Sequence, residues 1–245
     1  MVRIRPRNAA VIVEELSLFL SRRGLLTKMV REFKESADII AGAVEFLVGE
    51  GLARLFDVEF YFNDSPQAEN YVFWNGSIDL KNLTFRHAPR GVPDLEISLK
   101  DEKAVVEVSF GIHPQTVISE IKEVINHNPR SFWSEPVRIL LVPERVAYEA
   151  STFLQSRQAS VDTIPIEVFL NTLQKEYKNI SSLKNFIKIS KECIVEGMDA
   201  SPSSGGSLFE VIWEEISSGR VIFGFTILRL MSEVLNNSRF RINCI

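Results

Sequence analysis

Two acidic residues, Asp94 and Glu107, lie in neighbouring segments that alternate between polar and apolar positions. The segment Asp94–Lys100 reads DLEISLK, and the segment Ala104–Phe110 reads AVVEVSF. Successive side chains of a β-strand point to opposite faces of the sheet. The two segments therefore predict a β-hairpin that carries one carboxylate on each strand.

The turn of this hairpin decides whether the two carboxylates share a face. If the turn consists of Asp101 and Glu102, Lys100 pairs with Lys103. The two acidic residues then become diagonal neighbours on one face, roughly 7–8 Å apart at the backbone. A turn with an odd number of residues would place them on opposite faces.

A pair of carboxylates at this separation suits a hard cation. Mg²⁺ prefers oxygen ligands and usually keeps several waters beside one or two carboxylates. Asp94 and Glu107 would supply side-chain oxygens, and the carbonyl of Val108 would supply a third. Bound Mg²⁺, or Mn²⁺ in its place, activates water and neutralises charge in phosphodiester cleavage.

The position of Glu107 adds to this hypothesis. It lies in VVEVSF, a strand apolar enough to be buried on both faces. An unpaired buried carboxylate is costly, and perturbed carboxylates are frequent at functional sites. The alternative is that the carboxylates simply form the polar face of an amphipathic hairpin, as Glu96 and Glu102 would.

The flanking elements predict an α/β fold with a central mixed sheet flanked by helices. Helical periodicity covers residues 9–55, and its last part, Ala41–Phe56, is apolar around most of its circumference, which indicates burial. Further strands are predicted at Asp57–Asn63, Tyr71–Trp74, Leu80–Phe85, Val137–Val142 and Ile164–Val168, and further helices at Pro114–Asn126, Ala147–Arg157 and Phe169–Tyr177. We expect a helical region at 1–44, the core at 45–179 and a second helical region at 180–245.

A family resemblance extends this reading. Gly91-Val92-Pro93-Asp94 and, thirteen residues after the aspartate, Glu107-Val108-Ser109 resemble the PD-(D/E)xK nuclease signature. The pattern is similar to that of the AlwI-like restriction endonucleases and related nicking endonucleases. The predicted helix that follows, His127, and the segments VRILLVPERV and IPIEVFLNTL extend the resemblance over about residues 45–175. It implies a restriction-endonuclease-like core with extra N- and C-terminal helices.

The resemblance also implies roles for individual residues. Asp94 corresponds to the motif aspartate and Glu107 to the second acidic ligand. Ser109 stands where most members of the superfamily have a lysine, although the AlwI-like group is similar in having a hydroxyl residue there. Lys122 on the following helix is the candidate replacement for that lysine.

These nucleases tend to use a further acidic residue on the helix before the sheet. Glu50 is the first choice for that role and Glu45 the substitute. Glu120 is a further acidic candidate near the metal, and His113 and His127 are candidates for contact with phosphate or water. Each of these residues has an ordinary structural alternative as a solvated helix residue or a structural histidine.

The leading hypothesis is therefore a Mg²⁺-dependent endodeoxyribonuclease that acts on double-stranded DNA, as a homodimer or with a partner recognition subunit. The alternatives are a catalytically inactive nuclease-fold subunit for DNA binding or protein interaction, and an unrelated α/β protein. The net charge of −4 argues mildly against tight DNA binding by this chain alone.

Composition and missing motifs exclude other classes. The chain is 45% hydrophobic and 24% charged, and its apolar runs are too short for a membrane span. The two cysteines, Cys193 and Cys244, fit neither a disulfide framework nor a zinc site, so we expect a cytoplasmic protein. The phosphate-binding loop of NTPases, the dinucleotide-binding glycine motif and the serine-hydrolase elbow are missing from the sequence.

Overall fold

The computed structural model describes residues 33–79, 84–109, 121, 125, 135–157, 159–174, 180 and 182–198. The helices in these ranges are α1 (Phe33–Phe56), α2 (Glu144–Ser156), α3 (Ile166–Gln174) and α4 (Leu183–Met198). The strands are β1 (Glu59–Tyr61), β2 (Tyr71–Trp74), β3 (Ser77–Asp79), β4 (Thr84–Arg86), β5 (Leu95–Leu99), β6 (Glu102–Val108), β7 (Val137–Val142) and β8 (Val161–Pro165). None of these helices combines the length and the apolar composition that crossing a membrane demands.

The main sheet has six strands in the order β1-β2-β5-β6-β7-β8. Strands β2, β5 and β6 pair in antiparallel fashion, whereas β1 is parallel to β2, and β6, β7 and β8 are parallel to one another. A parallel connection needs a crossover, and α2 supplies it between β7 and β8. The predicted α/β class with a central mixed sheet is confirmed at this level.

Helix α1 ends in a hydrogen-bonded cap at Asp57. The N–H of Val58 donates to the carbonyl of Ala53, and the N–H of Asp57 donates to the carbonyl of Arg54. Asp57 itself has a φ of 54°, so the cap has the bonds and the left-handed residue of a Schellman motif. This cap turns the chain directly into β1.

Glycine lets α1 approach the sheet closely. A Cβ atom on Gly49 would stand 2.6 Å from the ring of Phe60 and 2.8 Å from Leu95. One turn earlier, Phe46 packs edge-on against the rings of Phe60 and Trp74, with centroids 5.2 Å apart in each pair. The close approach places the face of α1 that carries Glu45 against the strands.

The two faces of the sheet have separate cores. The larger core lies on the α1 side and includes Leu95, Val106 and Leu141. The smaller core lies on the other side, where Leu140 packs with α2 and with Ile121. Residues 121 and 125 are helical, and the rest of the predicted helix Pro114–Asn126 lies outside the described residues.

Helix α4 belongs to the larger core. Phe186 packs against Phe56 and Phe169, and the N–H of Leu183 donates to Glu102 Oε2 at 2.8 Å. The first turns of α4 therefore pack against the larger core, and α1 is continuous over Phe33–Phe56.

Several predicted boundaries differ from the structure. The strand predicted at Ile164–Val168 is Val161–Pro165, because α3 begins immediately after Pro165. The predicted helix Ala147–Arg157 begins earlier, at Glu144, where the carboxylate of Glu167 accepts the N–H of Glu144. Of the strand predicted at Leu80–Phe85, residues 80–83 lie outside the described residues, and residues 84 and 85 belong to β4, which pairs with β3 in a separate two-stranded sheet.

The contact at Gly49 yields a stability prediction. Gly49→Ala improves helix propensity by about 1 kcal/mol, but it forces a methyl group into Phe60 and Leu95. Overpacking of this kind costs about 1–3 kcal/mol. We expect a net loss of up to about 2 kcal/mol in the free energy of unfolding, measured by urea denaturation. If the Gly49→Ala variant is more stable than the unsubstituted protein, the packing of α1 on the sheet does not require glycine at position 49.

Candidate functional site

The hairpin of β5 and β6 differs in register from the sequence prediction. Leu99 pairs with Glu102, so the turn consists of Lys100 and Asp101, and the predicted pairing of Lys100 with Lys103 is wrong. Two contacts to distant residues explain the shift. The N–H of Lys100, whose φ is 48°, donates to Asn70 Oδ1 at 2.6 Å, and the carboxylate of Glu102 accepts the N–H of Leu183.

The observed register brings Asp94 and Glu107 face to face. The last paired residues are Leu95 and Val106, and the two acidic residues occupy the next positions outward. The turn still has two residues, so the side chains of Asp94 and Glu107 lie on the same face of the sheet, as predicted. In the observed register they are directly opposite each other, whereas the predicted register made them diagonal neighbours. The N–H of Val108 donates to Asp94 Oδ2 at 2.8 Å, which orients the Asp94 carboxylate towards β6.

Burial differs between the two acidic residues. Glu107 is 8% exposed and pairs across the sheet with Leu140 of the smaller core, whereas Asp94 is half-buried. One carboxylate therefore sits at the margin of an apolar core and the other faces partly to solvent.

Asn75 holds the chain on both sides of Asp94. Its backbone N–H donates to the Asp94 carbonyl at 2.9 Å. Its side-chain Nδ2 donates to the Pro93 carbonyl at 2.9 Å and to Glu96 Oε1 at 3.0 Å. Asn75 Oδ1 is buried and has no hydrogen-bond partner among the residues that the structure describes. These three bonds fix the backbone from which Asp94 projects.

Glu45 of α1 is the helix carboxylate whose charged neighbour is Asp94. The indole Nε1 of Trp74 donates to Glu45 Oε2 at 3.0 Å, and the N–H of Ala88 donates to the same oxygen at 3.2 Å. Burial raises the pKa of Glu45 well above its ordinary range, and the charge of Asp94 raises it further, against the lowering effect of the two hydrogen bonds. Burial therefore favours the protonated form of Glu45.

Glu50, the first choice from the sequence, has a different charged neighbour. It forms a buried ion pair with Arg54, one helical turn further on. Burial raises the pKa of Glu50 to about 7, and Arg54 opposes that rise. The charge of Asp94 thus acts on Glu45, whereas the charge that acts on Glu50 is that of Arg54.

The remaining predicted residues divide into two groups. Val108 and Ser109 continue β6 beside Glu107, and the N–H of Ser109 donates to the Leu141 carbonyl at 2.8 Å. Ser109 is buried. The candidates that lie outside the described residues are Glu120, Lys122, His113 and His127.

Three residues of this site were not singled out from the sequence. From the sequence, Asn75 follows the predicted strand Tyr71–Trp74, Trp74 is its last residue, and Glu96 is predicted on the polar face of the hairpin. The structure buries Glu96 to 1% exposure. A sequence signal existed only for Trp74, because a buried indole N–H needs an acceptor and the preceding helix offers carboxylates.

Comparison of the chain with models of known protein families and with curated proteins found no match in either. Within the described ranges, no group of three or more His, Cys, Asp and Glu side chains is arranged to hold a metal ion. The chemistry of the site therefore has to be argued from the facing carboxylates of Asp94 and Glu107.

The raised pKa of Glu50 predicts a pH-dependent stability. A carboxyl whose pKa is near 7 in the folded state and about 4.5 in the unfolded state stabilises the fold below the lower value. That contribution disappears as the pH rises through 7, and it corresponds to about 3 kcal/mol. Glu50→Gln cannot ionise, so its stability relative to the unsubstituted protein should increase between about pH 5 and about pH 8.

Urea denaturation at the two pH values measures this difference. Glu149→Gln is the matched control, because Glu149 is exposed on α2. A stability difference for Glu50→Gln that stays constant with pH would contradict the raised pKa of Glu50.

Proposed function

We propose that this chain is a Mg²⁺-dependent endodeoxyribonuclease that hydrolyses phosphodiester bonds of double-stranded DNA at a site around Asp94 and Glu107. The observation that supports the proposal most strongly is the register of the β5–β6 hairpin, which sets these two residues opposite each other on one face. Two neighbouring carboxylates repel each other in a partly desolvated site, and a bound cation relieves that repulsion.

The donor set fits a magnesium ion. Asp94 and Glu107 offer carboxylate oxygens and Val108 offers a carbonyl oxygen, which are the hard ligands that Mg²⁺ or Mn²⁺ prefers. The bound ion would supply Lewis-acid activation of water and of the phosphate. The role of the chain is to orient the Asp94 carboxylate through the Val108 N–H and to exclude water around Glu107.

Glu45 takes the role of the helix carboxylate in this proposal. Its Oε2 atom accepts hydrogen bonds from Trp74 and Ala88, which fix its position relative to Asp94. In the protonated state it adds no negative charge beside Asp94. Burial favours the protonated form of the Glu45 carboxyl, whereas Glu50 is paired with Arg54.

The fold supports the resemblance to PD-(D/E)xK nucleases at the coarse level. The acidic hairpin lies in the middle of a mixed sheet, between an antiparallel neighbour and a parallel one, and α1 packs across the strands. We propose a restriction-endonuclease-like core on this basis, with pairing of two cleavage sites in a homodimer or with a partner subunit.

A catalytically inactive nuclease-fold subunit is the second candidate. The observation that favours it is Ser109, which is buried two residues after Glu107 at the position of the family lysine. A cation site would persist in such a protein without turnover. Metal binding and DNA cleavage must therefore be measured separately.

The decisive variants are Asp94→Asn and Glu107→Gln, assayed on supercoiled plasmid DNA with Mg²⁺. Asn at position 94 keeps an acceptor for the Val108 N–H but loses the charge. We expect each variant to reduce the rate of nicking or linearisation more than about a hundredfold, because a direct metal ligand is lost. Asp101→Asn, at the exposed hairpin turn, and Glu149→Gln are the matched controls and should cut normally.

Thermal unfolding with and without Mg²⁺ separates the two candidates. A ligand that binds only the folded state raises the melting temperature. The nuclease proposal predicts both stabilisation by Mg²⁺ and cleavage, and the inactive subunit predicts stabilisation alone. If the Asp94→Asn variant cleaves DNA as fast as the unsubstituted protein, Asp94 and Glu107 do not form the cleavage site.

A further inference from the structure

The connection from β4 to β5 is an exposed cationic segment in an acidic protein. Residues 86–93 read RHAPRGVP, and they contain two arginines and a histidine but no acidic residue. Arg86, His87 and Arg90 are exposed. The same connection leads directly into Asp94. A chain with a net charge of −4 thus carries local positive charge in the segment that leads into Asp94.

The first half of this connection is packed against α1. A Cβ atom on Gly42 would stand 2.9 Å from the backbone nitrogen of His87 and 3.0 Å from the carbonyl carbon of Arg86. Two residues later, the N–H of Ala88 donates to Glu45 Oε2 at 3.2 Å. The backbone therefore has a defined position, while the Arg86 side chain faces solvent.

The second half is a turn that displays Arg90. The N–H of Val92 donates to the Pro89 carbonyl at 3.3 Å, and Gly91 has a φ of 89°, as the third position of a type II turn requires. The turn is followed by Pro93, whose carbonyl accepts a hydrogen bond from Asn75. Arg90 is thus carried by a braced turn four residues before Asp94.

We propose that Arg86 and Arg90 bind phosphates of the DNA backbone that flank the phosphate held at Asp94 and Glu107. The guanidinium group recognises phosphate through two parallel hydrogen bonds and stays charged at every physiological pH. Two such groups on one braced connection fit a linear polyanion. Contacts of this kind position the duplex without reading its sequence.

This inference rests on the proposed function for its substrate, and it adds the surface that brings the duplex to the site. It also accounts for the acidic net charge, because the phosphate contacts need only be local. The carboxylates of Asp94 and Glu107 repel the DNA backbone, and the positive charges of Arg86 and Arg90 would counter that repulsion.

The test is binding of a fluorescein-labelled DNA duplex of mixed sequence, measured by anisotropy in Ca²⁺ over a series of salt concentrations. The variant is Arg86→Gln with Arg90→Gln, and Arg157→Gln is the matched control, since Arg157 is exposed at the C-terminal end of α2. We expect the double variant to bind at least about tenfold more weakly. Its salt dependence should become shallower by about one to two released counterions.

Replacement of both arginines by lysine should restore most of the affinity, because lysine keeps the charge. Unchanged affinity or an unchanged salt slope in the glutamine variant would overturn the inference. So would retention of the protein on anionic phospholipid vesicles but not on the duplex. DNA binding that depends on the two arginines, without Mg²⁺-dependent cleavage, would support the phosphate-binding role of Arg86 and Arg90 and contradict the nuclease proposal. The experiments therefore distinguish failure of this inference from failure of the nuclease proposal.

Discussion

The antiparallel pairing of β5 with β6 is the constraint on which the site depends. It places Asp94 and Glu107 opposite each other one position beyond the last paired residues, where the Val108 N–H can bind the Asp94 carboxylate. A slip of one residue in this pairing would send the two carboxylates to opposite faces of the sheet. Two contacts to distant residues maintain the register: Lys100 is bound by Asn70 and Glu102 caps α4. The acidic pair is thus positioned by parts of the chain that are far from it in sequence.

Helix α1 contributes a third acidic side chain, Glu45, whose burial lowers the stability of the fold. Its close approach at Gly49 brings Glu45 to Trp74 and to the neighbourhood of Asp94, where burial favours the protonated carboxyl. Buried ionisable groups are expensive, and Glu50 on the same helix adds another. The apolar packing around Phe46 offsets this loss of stability, because the Phe46 ring contacts aromatic rings of β1, β2 and β4. A fold that needed only stability would have little reason to bury these carboxyl groups.

The sequence predicted the elements better than their contacts. The bounds of Tyr71–Trp74 and Val137–Val142 were predicted correctly, because a short apolar run is bounded there by polar residues or proline. The hairpin was predicted, but its register was not, since the contacts of Lys100 and Glu102 involve residues that local periodicity cannot relate. The different electrostatic neighbours of Glu45 and Glu50 were not predictable for a similar reason. The two residues lie five positions apart on a helix that is apolar on nearly every side, so periodicity does not indicate which one faces Asp94.

The central claim is that Asp94 and Glu107 hold one divalent cation between them. Anomalous diffraction from a crystal soaked in Mn²⁺ tests it most directly, because the manganese signal reports position independently of turnover. We predict a single strong peak within ligand distance of both carboxylates, about 2.0–2.3 Å from an oxygen of each. The peak should be lost in Asp94→Asn. A fully soaked crystal with no manganese between these residues, or with manganese bound only elsewhere, would contradict the claim.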